Sequence, residues 1–225
     1  DRRRIVSFFN YRNNLIHAAV AVALAAINIF IVLTLDPPNL AQGVFGNIFY
    51  IHVPVAWTAF LMYLCVMISG ILFLTKKDKV WDHRGLAFAE VGTLFMFLVL
   101  TTGPIWAKPA WGIFWPWEPR LTTSLVLFLI FLGYFMLREF GGNPEQVSRY
   151  AAVIGILAFL DVPLIFLSVK FWLPEMQSHP QVGQYFDSAN PLPTYLVIFS
   201  FVSLLVVSSL MVRLRTNILS MKEVR

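Results

Sequence analysis

Uninterrupted apolar runs recur along nearly the whole of this chain, and nothing constrains its fold more. An α-helix needs about 20 predominantly apolar residues to cross the hydrocarbon core of a bilayer. Runs of that kind lie near 15–35, 49–74, 86–106, 121–137, 150–170 and 193–212. They are continuous and lack the alternation of a barrel strand, so helices are expected. The sequence predicts an all-α integral membrane protein with six transmembrane helices, a single membrane domain over residues 1–225. Composition agrees: 58% of the residues are hydrophobic and 13% charged, outside the soluble globular norm. The first run, Leu15 to Leu35, follows Arg2, Arg3 and Arg4 as a secretory signal would. It is longer than a typical signal core, and we read it as a retained first helix.

The net charge of +5 does not point to nucleic acid, because the cations sit in short blocks between apolar runs. Arg2, Arg3, Arg4 and Arg12 precede the first run, and Lys76, Lys77, Lys79 and Arg84 follow the second. Arg138 and Arg149 follow the fourth; Arg213, Arg215, Lys222 and Arg225 follow the sixth. The other side carries Lys108, Arg120 and Lys170. By the positive-inside rule both termini are cytoplasmic. The outer side then owns three connections, 36–48, 107–120 and 171–192. A single cysteine, Cys65, lies in an apolar run, and no C-x-x-C or C-x-x-C-H occurs. Thiol exchange and c-type cytochrome chemistry are therefore not expected of this chain.

The same topology sorts the four histidines. His17 and His83 fall on the cytoplasmic side, His52 and His179 on the outer side. Two imidazoles on one face fit the axial ligation of a heme iron; interfacial polar residues are an equally good reading of either one. Residues 106–120 form a Trp-rich outer segment, with Trp106, Trp111, Trp115 and Trp117 inside twelve residues. An aromatic belt accounts for one or two indoles per helix end, not for such a cluster between prolines. A flat apolar macrocycle with two carboxylate tails calls for an aromatic platform and a few cations. Lys108 and Arg120 are the nearby cations, while Glu118 also suits the start of the fourth helix. Asp161 and Glu90 lie inside runs, where ionisable groups are functional candidates. No cation is expected at matching depth, so Asp161 is read as protonated or as bonding backbone freed by Pro163.

These residues resemble a known family. Trp111-Gly112-x-x-Trp115-x-Trp117-Glu118-x-Arg120-Leu121-Thr122 looks like the tryptophan-rich WWD signature of heme-handling proteins. Its continuation through Thr123 and Ser124 resembles the CcmC family of cytochrome c maturation. So do His52-Val53-Pro54 with Ala56-Trp57, and Val162-Pro163-Leu164-Ile165 with Ser168-Val169 and Trp172, leading to His179. The usual acid of the signature is Asp, and here it is Glu118. The resemblance implies a bacterial cytoplasmic (inner) membrane protein that binds heme b at its outer face. His52 and His179 would be the axial ligands. Trp106, Trp111, Trp115, Trp117, Glu118 and Arg120 would form the surrounding site. It also implies delivery to the heme chaperone CcmE, beside the ABC-type proteins CcmA and CcmB and the small protein CcmD. No G-x-x-x-x-G-K-[ST] loop occurs, so the chain is not the ATPase,. Two other classes stay open at this point: an electron-transfer b-type cytochrome, and a structural or permease subunit of an ABC transporter.

Overall fold

The structure is a computed structural model and describes residues 2–34, 43–171 and 192–223. All regular elements in these residues are helical. They are α1 (Arg2–Thr34), a 3-10 turn (Gly43–Ile48), α2 (Phe49–Lys76), α3 (Lys79–Trp111), α4 (Pro119–Phe140), α5 (Pro144–Phe159), α6 (Asp161–Phe171) and α7 (Leu192–Glu223). Six helical stretches are long and apolar enough to cross a membrane: Arg12–Thr34, Phe45–Lys76, Lys79–Trp111, Pro119–Phe140, Pro144–Ser168 and Leu192–Met221. The expected six-span, all-α architecture is what the chain adopts.

Local chemistry sets the turns. Lys77 ends α2 in the left-handed region (φ 56°), its N–H donating to the Phe73 carbonyl. Asp78 then caps α3 by accepting from the Val80 N–H at 2.9 Å. So short a connection forces α2 and α3 into an antiparallel pair. Asn143 caps α5 in the same way, accepting from Glu145 N–H at 3.0 Å, with Pro144 in the first helical position,. The α2 helix is central and packs on α3, α5 and α7, while α1 lies against α7. The α2–α5 approach is close: a Cβ on Gly155 would stand 2.7 Å from Val66 Cγ1. Small residues let helix backbones meet where no hydrophobic force separates helix from lipid. Tyr63 and Phe131 stack in the core with ring centroids 4.0 Å apart.

The up-and-down path collects the helix ends into two groups. At the basic end, Arg138 of α4 forks onto Asp82 of α3, with Nη2–Oδ1 at 2.5 Å. Ser148 of α5 donates to the same carboxylate at 2.8 Å. His17 of α1 lies 3.1 Å from both the Val206 carbonyl and Ser209 Oγ of α7. His83 of α3 lies 3.4 Å from Ser220 Oγ of α7. His83 thus ties α3 to the last turn of α7 at the basic end, whereas His17 ties α1 to α7 near the middle of both helices.

Three expectations need correction. First, helices outrun the apolar runs. The third span ends at Trp111 rather than near 106, so Trp106 and Trp111 are helical and the true connection is residues 112–118. Hydropathy marks the lipid-soluble stretch, whereas backbone bonding continues through Pro104 and Pro109 until Gly112, left-handed at φ 79°, closes the helix,. Second, the fifth span is not one helix. It breaks at Leu160 because Pro163 has no N–H for the Phe159 carbonyl,. Asp161 therefore opens α6, and its Oδ2 is buried without a hydrogen-bond partner. Third, Glu90 does meet a cation. The α7 helix runs far enough for Arg215 to hold it bidentately, Nε–Oε2 at 2.5 Å and Nη2–Oε1 at 2.7 Å.

Candidate functional site

The end opposite the basic groups is aromatic. His52 sits in the first turn of α2, and Pro54, two residues on, lies inside the helix, where its missing N–H leaves the Tyr50 carbonyl without an i+4 donor,. The side chain turns inward and is buried, 8% exposed. It faces the last turns of α3. Its Nδ1 lies 2.8 Å from Thr102 Oγ1. The Thr102 hydroxyl in turn donates to the Leu98 carbonyl at 2.7 Å. Gly103 lets the ring approach the α3 backbone: a Cβ there would stand 3.3 Å from His52 Cε1.

Aromatic rings extend from this histidine. Trp106 lies one turn beyond Thr102, is buried, and has its ring centroid 6.0 Å from that of His52. Phe49 packs on Trp106 at 6.0 Å, and Trp111 at 6.2 Å. A helix brings residues 102 and 106 to one side, against the start of α2,, and Trp111 joins them only through its ring contact with Trp106. The structure thus joins His52, Trp106 and Trp111 in one contiguous set. Trp115 and Trp117 form a second pair, edge to face at 5.8 Å. Trp117 is widely exposed at 72%. The Trp115 Nε1–H is buried without a hydrogen-bond partner. A buried donor of that kind costs about 1–3 kcal/mol.

The charged candidates divide. Glu118 is 1% exposed and holds the N-cap position of α4, though its side chain makes no capping bond. It interacts electrostatically with Arg120, one residue inside the helix start. Lys108 closes α3, donating to the Gly112 carbonyl at 2.8 Å, and lies over the Phe114 ring at 5.3 Å. His179 and Trp172 lie outside the described residues. Sequence reasoning missed Phe49, Thr102 and Gly103. The one available signal was Thr101-Thr102-Gly103-Pro104, a polar and proline-marked close to an apolar run.

Comparison with known proteins fits this arrangement. The family model of heme exporter protein C, CcmC, matches residues 4–225. A cytochrome c biosynthesis ccmC-like mitochondrial protein of Marchantia polymorpha is 34% identical over 79% of this chain and 76% of its own length. The heme exporter protein C of Bradyrhizobium diazoefficiens is 36% identical over 69% of this chain and 59% of its own length. That of Paracoccus denitrificans is 31% identical over 82% and 78%. With a family match across nearly its full length, the chain belongs to the heme exporter protein C (CcmC) family.

Proposed function

We propose that this chain takes up heme at its aromatic end and passes it on for cytochrome c maturation, with that end at the outer face of a bacterial cytoplasmic membrane. The observation that carries the reading is the buried His52, framed by Trp106, Trp111 and Phe49 in a member of this family. The residues fit the cargo. A macrocycle brings four equatorial nitrogens with it, so the protein need supply only axial ligands and a flat apolar wall. His52 is one ligand in this proposal and His179 the other. The indoles supply the wall, and the orphaned Trp115 N–H and the Arg120 guanidinium suit carboxylate tails,. Glu118 keeps Arg120 oriented at the head of α4. The recipient is the chaperone CcmE, and CcmA, CcmB and CcmD are the partners in the membrane. The basic end, with Lys76, Lys79, Arg84, Arg138 and Arg149, supports a cytoplasmic placement opposite the site,.

The test is an optical spectrum of the purified protein loaded with heme. Wild type should be six-coordinate. His52→Ala should lose most of the bound heme, while His17→Ala and His83→Ala should keep the wild-type spectrum. Unchanged spectra in His52→Ala and His179→Ala would overturn the assignment.

A further inference from the structure

An imidazole ligates through an unprotonated nitrogen, so the site works only if His52 carries its one proton on the other nitrogen. The structure fixes which. Thr102 has one hydroxyl proton, and its oxygen contacts two groups, Leu98 O at 2.7 Å and His52 Nδ1 at 2.8 Å. A carbonyl has no proton to give, so the first contact holds only if Thr102 donates to Leu98. The hydroxyl oxygen can then only accept from His52. Nδ1 therefore carries the hydrogen, and the lone pair lies on Nε2. The reverse assignment would turn the Thr102 and Leu98 oxygens against each other with no proton between them. Because Leu98 and Thr102 are four apart on α3, this bond is present before any cargo arrives.

We propose that Thr102 is a positioning residue for His52, holding the ring in the tautomer that presents Nε2 to iron and so setting how firmly heme is retained. The proposal rests on the reading of His52 as an iron ligand. A hydroxyl is a deliberate choice of partner. A carboxylate there would draw the Nδ1 proton, make the imidazole more basic and tighten the iron–nitrogen bond. A hydroxyl already committed to a carbonyl orients the ring without that gain, which suits a protein that gives its cargo away. Gly103 completes the arrangement by leaving the Cε1 edge, next to Nε2, clear of a side chain.

The test compares Thr102→Val, which keeps the shape and removes the acceptor, with Thr102→Ser, which keeps the hydroxyl. Thr101→Val is the control, since the Thr101 hydroxyl bonds Phe97 and Leu98 carbonyls. Nitrogen NMR of histidine-labelled, heme-free full-length protein reads the tautomer directly, with four histidines to resolve. Wild type, Thr102→Ser and Thr101→Val should show a protonated Nδ1 at His52, and Thr102→Val a tautomer mixture. Hemin should then leave Thr102→Val about 10-fold faster or more, the usual scale for losing an outer partner of a ligating histidine. If Thr102→Val does not reach the membrane, Thr102→Ala removes the same bond. Wild-type tautomer and hemin release in these variants would overturn the proposal. His52→Gly separates the two levels. Loss of hemin there, restored by added imidazole, keeps the ligand reading whatever Thr102 does; no loss removes the ligand reading itself.

Discussion

Individual atoms decide what the aromatic end can do, and Gly103 shows how little room there is. Its Cα faces a ring already held by Thr102 on one side and Trp106 on the other. A Cβ at 3.3 Å from Cε1 is a few tenths of an ångström too close, and interiors transmit such strain instead of absorbing it. Gly103→Ala should leave the protein in the membrane at normal levels but tilt His52. We expect a several-fold loss of bound heme, read by absorbance per protein. Combined with Thr102→Val the effect should be less than additive, because both changes act on one ring. None of this was legible in the sequence. His52 and the indoles stood out by residue type, but Thr102 is 50 residues from the histidine it bonds, and the polar, proline-marked stretch around it does not say what it bonds.

At the scale of helices, packing rests on a few polar ties and close contacts. The Asp82–Arg138 pair is largely buried, with side-chain exposures of 12% and 14%, and Ser148 completes it. Removing one charge strands the other. Arg138→Met should destabilise the protein by about 3–5 kcal/mol, and adding Asp82→Asn should recover part of that loss. Unfolding in mixed micelles measures both. Gly155→Val is a second probe. Its side chain would drive into Val66 across the α2–α5 contact and should cost about 1–3 kcal/mol,. The six spans themselves were legible because apolar length is a local property of the chain. The break at Leu160, the extension of α3 through Trp111 and the Glu90–Arg215 pair were not. The first two depend on backbone bonding that hydropathy does not see. The last joins residues 125 positions apart.

For the molecule as a whole, the fold yields two chemically distinct ends, and function depends on which faces outward. The arrangement is internally consistent. Asp82, Arg138 and Ser148 meet at one end; His52, Trp106 and Trp111 meet at the other. In the topology proposed from the distribution of Lys and Arg, the first would face the cytoplasm. A reporter that is active only outside should therefore work when fused after Gly112, in the connection between α3 and α4. One that fluoresces only inside should work after Asp78 or Gly142, each in a turn at the basic end. Both sets of fusions sit between helices, so no span is cut. The opposite pattern would leave the six-helix fold and the His52 environment intact, yet would place the indoles against the cytoplasm. Handover at the outer face would then fail as a function. The charge asymmetry weighs against that pattern, since turning the bundle over would carry the Lys76–Lys79 block and its neighbours across the membrane while leaving Lys108 and Arg120 behind.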